Sequence, residues 1–542
     1  MRAEKWQLAS EDVKEALIVR PNDPDVMTDV AKVSAMTGNR RLASKLVADA
    51  ARLADFAAPH VEFAIHALMD VGDLYGVIAL LEQAIQAHPN QSNWRILLVG
   101  FLKEAQRDDL IEPHYRWLIQ NRKFDLQFLV TFTDAANRIH TAATQELLRE
   151  RNPEDGRILL AKAVELNDSQ RFDESRQVCE EILESDPNFA VASALMGLNL
   201  SSLGLFDDVQ QWYRETPPGC DEFANYWIAV GDWCTHRGDD AQAIRAYWEA
   251  TRRDPNNSSA WTRLSLATRL FNPDGGTDEA IVSISELEGF QRRVADLIAM
   301  RTSFTEFVWS NQQSQRLAVD VAEALSRLGR NWEAEAWTAV AMTLKQQPDK
   351  DLSSLRNQIV IRLKEDPSWI SERDTPGISV DLSRLPIPTF VERSRARPTS
   401  VVPPIKIAEH LRLTDVSDQW GLAGIGEDKS PIDPSKMPLV RSTGTGGGAI
   451  DFDLDGRCDC IVMGAGGKMF GNDSAANELL RNIGGRFVTA GESAGVGLTD
   501  FGQGCAVGDF NEDGFSDLFF ANLGKNRLLR NNGDGTFTDC SS

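Results

Sequence analysis

Positive charge is in short supply. Lys and Arg number 57 against 80 Asp and Glu, a net charge of −23 at pH 7. No basic face is left to meet phosphates, which argues against nucleic acid as a partner. Long apolar runs are missing too: nothing approaches the ~18 residues a membrane-spanning helix needs. The N-terminus, Met1-Arg-Ala-Glu-Lys-Trp6, lacks the apolar segment of a secretory leader. Cysteine is scarce and wrongly spaced for metal or redox work. The seven (Cys179, Cys220, Cys234, Cys458, Cys460, Cys505 and Cys540) include no C-x-x-C pair, so a zinc ribbon or thioredoxin-type site has no support.

What is present fits an ordinary soluble chain. Hydrophobic residues make up 42% and charged residues 25%, and 542 residues are too many for one core. Two or three domains are expected.

Residues 1–365 carry apolar positions at i, i+3 and i+4, the period of amphipathic helices. A longer period overlies it. Gly38 and Gly72 lie 34 residues apart, as do Gly197 and Gly231, and Trp227 and Trp261. The clearest unit runs from Trp227 through Gly231, Gly238, Ala243, Tyr247 and Ala250 to Pro255. Small residues let two helices approach, a large one fills the gap, and proline stops the second helix. A 34-residue helical period with these features resembles the tetratricopeptide (TPR) repeat. Residues 100–150 and 270–315 fit the period poorly and are expected to hold irregular helix pairs. Ala9, Val13, Ala16 and Pro21 match only the second helix of a unit, which would leave an apolar face bare at an array end.

Residues 366–412 lose the helical period. Pro386, Pro388, Pro398, Pro403 and Pro404 stand among Ser, Thr and Arg, the mark of a linker or an extended wrapping segment. From 413 to 542 short apolar runs alternate with glycine-rich turns, as in β structure. This part repeats as well. Thr414–Leu422 corresponds to Thr489–Leu498 and to Thr538 onward, Gly446–Asp453 to Gly504–Asn511, and Asn477–Asn482 to Asn526–Asn531. Cys458 and Cys460 bracket the last carboxylate of one acidic run, where on a strand they would share one face, and Cys505 lies in the next repeat; three buried thiols are expected rather than a disulfide.

Two acidic runs carry the chemistry. Asp451-Phe-Asp453-Leu-Asp455-Gly456-Arg-Cys-Asp459 and Asp509-Phe-Asn511-Glu-Asp513-Gly514-Phe-Ser-Asp517 both read D-x-[DN]-x-D-G-x-x-D, with first residues 58 positions apart. Oxygen side chains at alternate positions followed by a glycine turn suit a hard cation such as Ca²⁺. Carboxylates within about 5 Å repel by a few kcal/mol per pair at an effective dielectric of 20, so such a loop needs a cation or protons. An EF-hand would carry Glu at the twelfth position, where Val462 and Phe520 stand instead.

These recurring segments resemble FG-GAP/VCBS repeats, the blades of integrin-α-like β-propellers. The spelling N-x-L-L-R-N-x-G-x-G-x-F-T-D is similar to bacterial proteins of the ASPIC/UnbV type. The resemblance implies that Asp451, Asp453, Asp455 and Asp459 bind calcium with the Arg457 carbonyl. In the second loop it implies Asp509, Asn511, Asp513 and Asp517 with the Phe515 carbonyl. By carboxylate count the first site is expected to bind more tightly. Propellers need at least four blades, and the last repeat stops at Ser542, so a fragment with incomplete propeller repeats is expected.

Other motifs are weaker. Gly491-Glu-Ser493-Ala-Gly495 matches a nucleophile elbow, but all seven histidines precede Ser493. Gly464–Lys468 hints at a phosphate loop, but Met469 stands where Ser or Thr is required. Tryptophans 227, 233, 248 and 261 are expected to pack rather than to line a cleft, and His236 to be solvated.

The expected architecture is a multidomain α + β chain: a TPR α-solenoid, then incomplete calcium-binding β-propeller repeats. The expected function is a non-catalytic interaction scaffold in an extracytoplasmic setting, periplasmic, cell-surface or secreted. Its TPR groove would take a protein or peptide partner, and its propeller face a polysaccharide or protein. Two rivals are an exported enzyme or enzyme accessory with its active part elsewhere, and a polysaccharide-binding adhesin.

Overall fold

The computed structural model describes the chain except residues 1–8, 10, 11, 14, 135–141, 272–281, 350, 374, 376, 390–413, 423, 424, 426–445, 465, 469, 512 and 542. Pro398, Pro403 and Pro404, with Ala465 and Met469 of the glycine run, fall outside the described residues. The chain forms two compact units. One comprises 1–196, 303–326 and 330–371; the other comprises 197–302, 327–329 and 372–542. Compactness thus divides the helical array at Gly197, whereas the sequence pattern changes at 365 and 412.

The first unit is built from antiparallel helix pairs such as Pro24–Met36 with Arg40–Leu53 and Ala58–Asp70 with Leu74–Ala87. Their starts are capped: Asp23 accepts from the Asp25 and Val26 amides, Asn39 from Leu42 and Asp73 from Gly76. The apolar stripes meet in a core containing Val47, Ala50, Val61, Ala64, Leu80 and Leu81. Irregularity falls where the period fails, in the seven-residue helix Leu126–Phe132 and the 26-residue helix Ile284–Trp309, against 13 or 14 in the pairs.

In the second unit, helices Ala224–Arg237 and Asp240–Arg253 pack where Gly231 faces Tyr247. A side chain at Gly231 would collide with that ring, which is why this position stays bare. Trp227, Trp233 and Trp261 are buried packing residues. The half-buried Trp248 donates from Nε1 to the Val380 carbonyl at 2.9 Å, and Arg245 donates to the Ser383 and Leu385 carbonyls. With Leu382 fully buried, this holds the described part of the proline-rich segment against helix Asp240–Arg253.

The strands form two antiparallel four-stranded meanders. The first is β1 (Gly447–Ile450), β2 (Asp459–Val462), β3 (Glu478–Asn482) and β4 (Phe487–Thr489). The second is β5 (Gly502–Gly508), β6 (Asp517–Asn522), β7 (Arg527–Asn531) and β8 (Phe537–Asp539). Phe452, Ile461, Leu479, Val496, Leu518, Phe520 and Leu529 make one core across both sheets, and Leu266 of helix Ser258–Phe271 joins it. Of the expected correspondences between repeats, only that of Thr414–Leu422 with Thr489–Leu498 is off, by one to two residues. Gly421 and Gly495 share φ 76°, and Trp420 and Ala494 make the same turn hydrogen bonds, to Val416 and Ala490.

The cysteines correct one expectation. Cys458 is exposed, Cys460 and Cys505 are half-buried, and all are free thiols. Cys458 lies one residue before β2, outside the strand ladder, so it does not share a face with Cys460.

Candidate metal-binding loops

Each acidic run forms the hairpin loop between the first two strands of its sheet, and the two loops are wired alike. Asp451 accepts from the Asp455 and Gly456 amides at 3.0 Å each; Asp509 accepts from Asp513 and Gly514 at 3.1 and 2.8 Å. Asp455 accepts from the Arg457 amide, and Asp513 from Phe515. Asp459 reaches the Phe452 and Asn482 amides, as Asp517 reaches Phe510 and Asn531. Gly456 and Gly514 make the turn at φ 80° and 90°, a conformation costly to any residue with a Cβ. Alternating side chains converge because the backbone amides hold the first, fifth and ninth residues inward.

One oxygen in each loop is left over. Asp453 Oδ1 and Asn511 Oδ1, both at the third position, are buried without a hydrogen-bond partner. An unsatisfied buried oxygen costs about 1–3 kcal/mol unless something occupies the space it faces. In the first loop, carboxylate oxygens of Asp451, Asp453 and Asp459 lie within 4.8 Å of one another, a spacing a divalent cation can bridge. The donor set therefore fits such an ion.

The loops differ in what surrounds them. Asp455, expected as a ligand, turns its carboxylate to guanidinium groups: Arg457 pairs with Oδ2, and Arg481 stands 3.6 Å from the same atom. Arg481 also donates to Asp453 Oδ2 at 2.7 Å. Arg457, expected only for its carbonyl, buries its side chain and donates to the Ser201 carbonyl at 3.1 Å. Ser201 donates to Asp232 Oδ2, and Asp232 Oδ1 receives Tyr247 Oη at 2.8 Å and Arg263 Nε at 3.0 Å. A continuous buried network thus runs from the first loop into helices Ala224–Arg237 and Ser258–Phe271. In the second loop Asn511 donates to Asp513 Oδ2 at 2.8 Å, and among the described residues no guanidinium pairs with Asp509, Asp513 or Asp517. Only the helix-borne half of this network had a legible cue. Asp232 sits inside Trp-Ile-Ala-Val-Gly-Asp-Trp-Cys, and a charge in so apolar a helix requires a partner.

Charge follows geometry. Burial first, then Asp455 and Asp453, push Asp451 up to about 7. Burial and the same carboxylates hold Asp459 well above the usual carboxylate range. Asp455 is also raised by burial, against the opposing pull of Arg457. Burial would raise Asp232 too, but Arg263 and then Arg457 outweigh it and hold it low. The first loop thus stores negative charge that its arginines only partly offset.

The sheets seat on helices at further points. His236 is bonded to the Ile483 carbonyl at 3.0 Å and stacks on Phe206, ring centroids 4.1 Å apart. It is therefore a contact residue, not a merely solvated one. Thr262 donates to the Gly533 carbonyl, and Arg269 pairs with Asp534. Ser493 lies exposed in a turn, its hydroxyl donating to the Ala490 carbonyl, with no histidine beside it among the described residues.

Residues 451–520 and 509–542 match the family described as FG-GAP-like repeat. No curated protein matches the chain. Among solved structures, the chain is similar to the APC/C hetero-tetramer Cut9–Hcn1 (17% identity, 67% of this chain and 81% of that one, TM-score 0.25). It is also similar to a tetratricopeptide repeat protein from Parabacteroides merdae ATCC 43184 (12%, 56% and 98%, 0.21). A third is YrrB, a TPR protein with an unusual peptide-binding site (14%, 46% and 97%, 0.17). At these TM-scores nothing is transferred from those proteins. The chain is an array of helices followed by two four-stranded sheets, and residues 451–542 of the strand-rich part match FG-GAP-like repeats. No helix among the described residues is long and apolar enough to cross a membrane.

Proposed function

We propose that the protein is a non-catalytic interaction scaffold whose FG-GAP-like blades are stiffened by calcium. The observation that carries this reading is the orphaned buried oxygen at the third position of two loops with the same hydrogen-bond pattern. Asp451, Asp453 and Asp459 would hold the first ion, with Asp455 and the Arg457 carbonyl at its margin. Asp509, Asn511, Asp513, Asp517 and the Phe515 carbonyl would hold the second. Calcium supplies charge neutralisation and oxygen coordination there, and no chemistry on a substrate.

The helical array is the protein- or peptide-binding part of this reading. Residues Ser201, His236, Thr262 and Leu266 already meet the chain's own strand-rich part, so the partner belongs on the helices of the first unit. The N-x-L-L-R-N-x-G-x-G-x-F-T-D spelling supports kinship with ASPIC/UnbV-type proteins and further propeller blades. Millimolar calcium outside the cytosol would fill even sites of about 10⁻⁴ M, which supports an extracytoplasmic setting.

Calorimetric titration of metal-free full chain with Ca²⁺ tests the reading. Two binding events are expected, one lost in Asp453→Asn and the other in Asp509→Asn. No heat, with melting indifferent to chelator, would sink it.

A further inference from the structure

The network around the first loop contains five carboxylates, buried Asp232, Asp453, Asp455 and Asp459 with half-buried Asp451, against three buried guanidiniums, Arg263, Arg457 and Arg481. Two negative charges remain, the complement of one divalent cation. Asp453 Oδ1, wholly buried and unpartnered, shows where that charge is unmet. Two of the eight groups, Asp232 and Arg263, belong not to the sheet but to helices Ala224–Arg237 and Ser258–Phe271. Their link to the loop is short: Arg263 to Asp232, Asp232 to Ser201, Ser201 carbonyl to Arg457, Arg457 to Asp455.

We infer that the helices complete the first cation site, with Asp232 and Arg263 as its positioning residues. Divalent-cation binding and the seating of the first sheet on those helices are then one equilibrium. The inference rests on the reading that the first loop takes a divalent cation. With the ion in place, Asp453 and Asp459 are neutralised and Asp455 is left to Arg457, which is held against Ser201. Without it, Arg457 and Arg481 are drawn to the uncompensated carboxylates and the excess charge forces the loop off the helix face. Because linkage is reciprocal, a change at Asp232 or Arg263 must weaken cation binding at a loop neither residue touches with a ligand atom. Among the described residues the second loop has no such guanidinium bridge, and it should be free of this coupling.

Hydrogen exchange on the full-length chain, with and without Ca²⁺, tests this. Calcium is expected to protect amides of Ala224–Arg237 and Ser258–Phe271 in the parent chain, but not in Asp453→Asn. Asp509→Asn, which disables only the second loop, is expected to keep the protection. Arg263→Lys, which keeps the charge but not the fork geometry, is expected to weaken calorimetric Ca²⁺ affinity at the first loop by about tenfold, as outer-shell changes do. Ca²⁺ heat with helix exchange indifferent to calcium in the parent chain would overturn the inference and leave the calcium reading standing. Absence of any Ca²⁺ heat would overturn both.

Discussion

Arg481 and Arg530 occupy the same place in the same spelling, Asn-x-Leu-Leu-Arg-Asn, one in each sheet. Arg481 is buried between Asp453 and Asp455, whereas Arg530 is exposed and reaches only Asn532, at 3.5 Å. The same contrast runs through the loops beside them. The first leans on helices through buried guanidinium groups, whereas the second draws its hydrogen bonds from its own sheet and leaves Asn511 Oδ1 unmet. The same spelling, differing only at Glu478 and Arg527, therefore yields a structural ion-pair hub in one repeat and a solvated side chain in the next. What distinguishes them is the neighbour.

The sharpest way to break this comparison is to remove both arginines in turn. Arg481→Met leaves buried Asp453 without its guanidinium and Asp455 with Arg457 alone, and should cost about 3–5 kcal/mol, read as a lower urea midpoint in chelator. Arg530→Met, at an exposed position, should change stability by less than about 0.5 kcal/mol. Equal losses would show that the buried network carries no more weight than a surface contact.

The glycine turn after β3 offers a second contrast. Gly484 and Gly485 both have positive φ, but a side chain at Gly484 would strike Phe206 while Gly485 faces open space. Gly485→Ala should cost about 1–2 kcal/mol from backbone strain alone. Gly484→Ala should cost about 2–4 kcal/mol, because overpacking against the helix adds to that strain. Thermal unfolding of the two variants side by side measures the difference.

Calcium affinity sharpens the comparison further. Carboxylate count alone favours the first loop, but Arg457 and Arg481 already take up part of its charge. The second loop should therefore bind more tightly, by about tenfold if ~1.4 kcal/mol of that charge offset survives screening. Titration of Asp453→Asn, which keeps the second loop, against Asp509→Asn, which keeps the first, decides the order.

The smallest expected effect lies where the first sheet meets a helix start. Burial and Asp239 push Asp240 up to about 6, with Arg486 pulling the other way. A carboxyl raised in the folded state favours folding below its unfolded value near 3.8, and that contribution fades as pH rises through 6. Asp240→Asn should match the parent near pH 4 and gain slightly on it above pH 6, in melting curves taken across that window.

The loops were legible because coordination demands oxygen atoms at fixed spacing and a turn that only glycine makes cheaply. Gly231 and Tyr247 were legible for a similar reason, since close helix packing fixes both sizes. Arg481 was not, because its spelling also serves Arg530, and which of the two meets a helix depends on contacts far along the chain. Arg457 was read only for its carbonyl, as its side chain finds Ser201 across 256 residues. The resemblance places Asp455 among the ligands, and nothing local announces that its Oδ2 meets the Arg457 guanidinium. Cys458 was misplaced by a single residue of strand boundary.

Gly484 and Gly533, pressed by Phe206 and Ile298, carry a practical consequence for anyone recombining this chain. A graft that takes only the strand-rich part would expose Leu266's partners and leave two denuded turns where helices should press. A donor module cut before helix Ala190–Ser202, which carries Ser201, keeps its own cradle. Chimeras joined there should remain soluble, and those joined at the linker should aggregate.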